Sequence, residues 1–144
     1  MSFFDAIDIS ASGLTAERTR MDVTAENLAN AQTTRGPNGQ PYVRQEVALQ
    51  QVGGFGQALA GAMQGAPVPG GVEVAGVVND PTPNQLVYDP GNPDANAQGY
   101  VRMPNVNPVT EMTDMIDESR TYESNVTAME TSKTMYEKTL GLLK

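Results

Sequence analysis

The chain has no cysteine and no histidine. Without cysteine there is no disulfide framework, no thiolate nucleophile and no thiolate-held metal. Without histidine the commonest general base and the commonest metal ligand are both missing. Ser-His-Asp, Cys-His, HExxH and zinc-finger chemistries are therefore excluded, and any catalysis is left to carboxylates, lysine or tyrosine. Basic residues are also scarce, with 9 Lys and Arg against 17 Asp and Glu and a formal charge of −8. No basic patch is available to neutralise phosphates, so nucleic acid and anionic membrane surfaces are poor partners. No apolar run is long enough to span a bilayer. The first eight residues lack the basic and apolar regions of a cleavable signal, which on generic grounds points to the cytoplasm.

Glycine and proline are missing from the two ends. Of 14 Gly and 10 Pro, all but Gly13, Pro108 and Gly141 lie between Gly36 and Pro104. At 144 residues the chain has room for one modest domain. The expected organisation is an N-terminal helix in 1–35, a β-rich middle in 36–105 and a C-terminal helix in 106–144. The fold class is α+β.

From residue 2 to about residue 32, Ile7, Leu14, Met21 and Leu28 recur every seven positions. Phe4, Ala11, Arg18 and Ala25 hold the companion position, with Arg18 the one polar member. This is the stripe of a helix that faces a partner helix. Ser2 and Asp5 are placed as a capping box. A helix of that length would be about 45 Å long. Near the other end, Met115, Tyr122, Met129, Tyr136 and Leu143 repeat the period. Met112, Ser119, Val126, Lys133 and Leu140 form the alternate row. Asn107-Pro108 is a start signal, an N-cap before proline at the first helical position, and predicts a helix over 108–142. Acids early and lysines late complement the helix dipole.

The two stripes can be the core of a hairpin within one chain, or surfaces that also meet neighbouring copies. The second reading is favoured. Such long helices outrun what a 144-residue globule covers, and rows rich in Met, Ala and Ser are adaptable and bury little by themselves. The candidate assembly interface is Phe4, Ile7, Ala11, Leu14, Arg18, Met21, Ala25, Leu28, Met112, Met115, Tyr122, Val126, Met129, Lys133, Tyr136, Leu140 and Leu143. Arg18 and Lys133, the charged interruptions, are expected to set register by charge pairing.

In the middle, strands are expected over 42–51, 72–78, 85–88 and 100–103, each bounded by turn residues. The Gly/Ala-rich 53–71 stretch reads as a flexible loop. Four short strands do not make a self-sufficient core, so the unit leans on the helices or on other chains.

No catalytic constellation emerges. Asp89, Asn92, Asp94 and Asn96 suggest a calcium loop, but Gly91 is third and Asp94 sixth in the run, so a rigid Asp/Asn/Pro turn explains them better. Carboxylate pairs such as Asp114 with Glu118 suit acid–base chemistry in principle, yet a solvated helix face accounts for them. Asn125-Val126-Thr127 matches a glycosylation sequon in mid-helix. The glycines near 53–61 lack the Lys-Ser/Thr of a phosphate loop. No metal, cofactor or small-molecule substrate is expected.

Ser12-Gly13-Leu14-Thr15-Ala16-Glu17-Arg18-Thr19-Arg20-Met21-Asp22, continuing through Glu26-Asn27-Leu28-Ala29-Asn30-Ala31-Gln32-Thr33-Thr34, resembles the N-terminal signature of bacterial flagellar rod and hook proteins. Val87-Tyr88-Asp89-Pro90-Gly91-Asn92-Pro93-Asp94-Ala95, then Gly99-Tyr100-Val101 and Met103-Pro104-Asn105-Val106-Asn107, looks like the proximal-rod member of that group. Glu111-Met112, Asp114-Met115-Ile116, Ser119-Arg120, Tyr122 and Asn125-Val126 match its C-terminal pattern. Asn92 departs from the histidine often found there.

The resemblance implies an axial building block, with both terminal helices packed into a tube around an export channel and a small β-rich domain outside. The implied partners are further copies, other rod proteins, the MS-ring or export-gate adaptor at the rod base, and the flagellar type III export apparatus. The implied location is the periplasmic rod, reached without a cleaved signal, in place of the cytoplasm. Two rivals stand beside it: a free-standing coiled-coil adaptor or export chaperone, and a carboxylate-dependent hydrolase.

Overall fold

The computed structural model describes residues 3–52, 59, 61, 63 and 70–141. Helix α1 spans Phe3–Ala29, and α2 spans Pro108–Gly141. Between them lie β1 (Gln45–Gln51), β2 (Val72–Asn79), β3 (Gln85–Tyr88) and β4 (Tyr100–Met103). The expected α+β class is what is found, and both helix spans agree with the reading of the periods to within a few residues. Most of the 53–71 stretch, Ser2 of the capping box and Leu143 lie outside the described residues.

α2 starts where Asn107 caps it. Asn107 Oδ1 accepts from the Val109 amide at 3.0 Å, and its carbonyl accepts from the Glu111 amide at 3.0 Å. Serine and threonine are tolerated inside both helices because their hydroxyls bond back to the carbonyl one turn earlier, as Thr15 does to Ala11 and Thr131 to Thr127. The helices run antiparallel. Gly13 lies against Asn125, Thr24 bonds Glu118, and Asn27 bonds Glu111.

β1 and β2 form an antiparallel pair from Gln45↔Asn79 to Gln51↔Val72, with a register shift between Ala48 and Leu49. That shift leaves Ala75 as the extra residue of a bulge. β3 and β4 form a second antiparallel pair, Gln85↔Met103 to Tyr88↔Tyr100. Its turn is built from side chains: Asp89 Oδ1 accepts from the Gly91 amide, Asn92 Oδ1 from Asp94, and Asn96 Oδ1 from both Gln98 and Tyr100. Gly99 closes the turn at φ +81°, where a Cβ would lie 2.8 Å from the Tyr88 ring. The Asp/Asn/Pro segment is thus an Asx-turn assembly, as its composition suggests.

The β1–β2 pair rests on α1. Gly70 approaches Ile9, Gly71 approaches Ser12, and Ser12 Oγ accepts from the Val72 amide at 3.1 Å. Among the described residues the buried apolar side chains are only Ala16, Val23, Val101, Pro104 and Val106. Buried polar ones are as many: Glu17, Thr24, Asn27, Glu111 and Glu118. The chain exposes 9943 Å². A compact monomer of this mass exposes about 7,100 Å². This fold leaves much apolar surface uncovered.

Candidate assembly interface

α1 turns Ala16, Glu17, Val23, Thr24 and Asn27 inward. At about 100° per residue, Ala11, Arg18 and Ala25 fall on the opposite side of the helix. Ile7, Leu14, Met21 and Leu28 lie on the flank and are half-buried, as is Ala11, whereas Arg18 and Ala25 are exposed. The seven-residue row of α1 is therefore not its main buried face within the chain. On α2, Met115, Tyr122 and Met129 are half-buried on the side that carries Glu111 and Glu118. Val126 is half-buried on the flank, and Met112, Lys133, Tyr136 and Leu140 are exposed. Phe4 lies in the first turn of α1. Val109 and Ile116 add to the uncovered apolar surface of α2, at 71% and 54% exposure. Lys133 is 3.9 Å from Glu137 on its own helix.

Beneath this surface is a polar junction that joins α1, the β unit and α2. Asn27 is 1% exposed. Its Nδ2 donates to the Gln45 carbonyl at 2.8 Å and to Glu111 Oε2 at 3.0 Å. Its Oδ1 accepts from the Gln45 amide and from the Tyr42 hydroxyl, both at 2.9 Å. All four hydrogen-bonding positions of the carboxamide are used. Burial, followed by the charges of Glu26 and Glu111, pushes the Tyr42 phenol up to about 12.

Arg44, just before β1, is the cation of the junction. Its Nε donates to Glu111 Oε1 at 2.6 Å, and Nη1 meets Glu46 and, at 3.5 Å, Asp80. Nη2 lies 3.7 Å from Asp114. Burial pulls the guanidinium down, but the Glu111 hydrogen bond and charge, with Glu46, outweigh it and hold Arg44 above its ordinary value. The hydrogen bonds from Thr82, with Arg44 nearby, hold the Asp80 carboxyl below its usual range.

Glu118 is less well served. Its Oε1 accepts from Thr24 Oγ1 at 3.1 Å and lies 3.5 Å from Arg20 Nε, which is itself shared with nearby Glu17 through Nη1. Its Oε2 is buried and has no hydrogen-bond partner among the described residues. The reading of Asp114 and Glu118 as a solvated helix face is thus corrected. Glu118 is 4% exposed and Glu111 1%, because this side of α2 meets α1 and Arg44, and Asp114 is drawn in by the same guanidinium. Asn27, Tyr42, Arg44 and Glu111 were not marked out as site residues by the sequence. Asn27 itself gave little signal, since it lies in the last turn of α1, where a poor helix former is ordinary. Asn125 of the sequon packs in mid-helix against Gly13, a position that does not suit a glycan.

A junction whose donors are spent on structural acceptors, with apolar rows left outside, suits association rather than chemistry. The family profile for flagella basal body rod proteins matches residues 7–37, and the profile for the flagellar basal body rod FlgEFG protein C-terminal region matches 97–142. Flagellar basal-body rod protein FlgC of Bacillus subtilis is 47% identical over 150 residues, covering 100% of both chains. FlgC of Salmonella typhimurium is 44% identical over 142 residues, covering 99% of this chain and 98% of its own. FlgC of Borreliella burgdorferi is 39% identical over 156 residues, with 100% and 99% covered. The chain belongs to the FlgC family of flagellar basal-body rod proteins. FlgC proteins are structural and non-enzymatic, which removes the hydrolase reading. The rod-subunit function implied by the sequence resemblance stands on these matches. No described helix is long and apolar enough to cross a membrane.

Proposed function

We propose that this FlgC-family subunit polymerises through its terminal helices into the proximal rod, a drive shaft that transmits torque and encloses the export channel. The observation that carries the reading is the apolar surface left exposed along α2, at Val109, Met112, Ile116, Met135, Tyr136 and Leu140, beside a half-buried row on α1 and a sparse core. Residues 1–35 and 106–144 act as the axial parts and 36–105 as the outer domain. The assembly surface comprises the seven-spaced rows of α1 and α2, from Phe4 through Leu28 and from Met112 through Leu143. Heterologous contacts that do not close on themselves generate a helical rod. Further copies, other rod proteins and the MS-ring or export-gate adaptor at the rod base supply the covering surfaces. The flagellar type III apparatus exports the chain to the periplasm without cleavage, and the absence of cysteine suits that passage because no stray disulfide can form.

A density map of intact basal bodies tests the proposal. Both helices should lie in the rod wall with the apolar rows against neighbouring subunits. Density that leaves α1 and α2 outside the wall overturns it. Hydrogen exchange gives a second check: the ends should be weakly protected in the isolated chain and strongly protected in the rod.

A further inference from the structure

The groove between α1, β1 and α2 has a volume of about 320 Å³ and is lined by Arg20, Thr24, Arg44, Glu46, Asp114 and Glu118, among others. It is short of positive charge. Arg20 and Arg44 are shared among the carboxylates of Glu17, Glu46, Asp80, Glu111, Asp114 and Glu118. Glu118, 96% buried, still has one oxygen without a partner. A buried anion in that position calls for a further donor.

The chain also carries an unused cation. Arg20, Arg35, Arg44, Arg120 and Lys133 each have a carboxylate within 4 Å. Arg18 has no ion-pair partner among the described residues, and it is exposed in the middle of the apolar row of α1. Arg102 and Lys138 share that lack, but Arg102 sits on β4 and Lys138 near the end of α2. Arg18 lies about 180° around α1 from Asn27, on the groove side, at about 100° per residue. A cation on one side of a helix and an acidic socket on the other cannot satisfy each other within one chain. They fit between copies.

We infer that Arg18 of one copy inserts into the groove of the next, its guanidinium donating to Asp114 and lying close to the buried carboxylate of Glu118. This rests on the rod-subunit reading. Because knob and socket lie on opposite faces, the contact is heterologous and propagates from copy to copy instead of closing as a dimer. Arg18 is then a register element, and its charge offsets the surplus of carboxylates around Glu118 on assembly.

The test uses the full chain in a flagellated strain lacking its own copy, with Arg18→Cys and Asp114→Cys together. The parent chain has no cysteine, so these are its only thiols. An arginine side chain holds the two backbones too far apart for a direct disulfide, so a short bis-maleimide is applied to purified basal bodies. A ladder of dimers, trimers and longer species is expected, and only monomer from either single variant. Basal bodies that contain the double variant but yield monomer alone overturn the inference. A ladder that stops at dimers overturns it as well. If the double variant does not assemble, Arg18→Glu and Asp114→Lys are compared by swimming: each alone should lose it and the pair should regain it, and no regain overturns the inference. Failure of the rod reading looks different, since the unsubstituted chain would then be missing from purified basal bodies.

Discussion

Asn27 holds Gln45 by both backbone groups, donating to its carbonyl at 2.8 Å and accepting from its amide at 2.9 Å. A side chain from the last turn of α1 thereby acts as the neighbouring strand at the start of β1. It also bonds Tyr42 and Glu111, so one carboxamide ties both helices to the β unit. Asn27→Ala should lower the free energy of unfolding by about 3 kcal/mol, since it leaves buried donors and acceptors unmatched at roughly 1–3 kcal/mol each. Urea unfolding of the isolated chain measures this. Asn27→Asp should be worse at neutral pH, because it replaces the donor to Glu111 with a second carboxylate. A midpoint unchanged by both variants would show that the junction carries no stability.

Arg44 and Glu111 form the buried pair of the junction, with the guanidinium 19% and the carboxylate 1% exposed as side chains. Removing one partner of such a pair costs about 3–5 kcal/mol, mostly because the other charge stays buried and unpaired. Arg44→Met is therefore expected to destabilise the chain by that amount. Arg44→Lys should recover only part of it, since a lysine cannot span Glu111, Glu46 and Asp114 with a planar fork. Arg44→Met combined with Glu111→Leu should lie well above the sum of the two single losses. Additivity in that double-mutant cycle would rule out a coupled pair.

Burial raises the Glu118 carboxyl above its ordinary 4.5; the Thr24 hydroxyl and Arg20 pull it partly back, and Glu17 and Asp114 push it further up. Between 4.5 and the raised value the folded chain binds more protons than the unfolded one. Its stability therefore falls as pH rises through that window, and the full loss is present above it. Glu118→Gln, measured on the isolated chain, should be at least as stable as the parent at pH 7. The advantage should shrink as pH falls to 4.5. An advantage that grows toward low pH would reverse the sign and reject the burial argument.

The helices were legible because a seven-residue period over breaker-free ends has few other solutions, and the Asn107-Pro108 cap sits where the pattern begins. β1 starts at Gln45 rather than Tyr42 for a reason outside local pattern. The backbone of residues 42–44 is spent elsewhere, with the Tyr42 amide on Thr33, the Tyr42 carbonyl on Asn84 and the Arg44 amide on Asn105. The junction was hidden for a related reason. Glu111 and Glu118 occupy positions that also suit a helix dipole and solvent. Whether Glu111 is buried depends on Arg44, 67 residues away, arriving beside it. Local periodicity reports which side of a helix is apolar, but not which polar groups a distant cation will draw inward.

At Gly13 the two helices come close together. A Cβ there would lie 3.0 Å from Asn125 Nδ2 and 3.4 Å from its Cγ. Glycine inside a helix costs about 1 kcal/mol relative to alanine, so its presence at mid-α1 needs a packing reason. Gly13→Ala should gain most of that propensity and lose some of it in moving the Asn125 side chain, for a net change within about 1 kcal/mol. Gly13→Leu has no such escape, since the larger side chain must part the helices, and it should lower stability by about 1–3 kcal/mol as overpacked sites do. The same separation would misplace the apolar rows of α1 and α2, so Gly13→Leu should also lose swimming while Gly13→Ala keeps it. Urea midpoints paired with a soft-agar assay decide the matter. A leucine at position 13 with an unchanged midpoint would mean that the helices do not meet there.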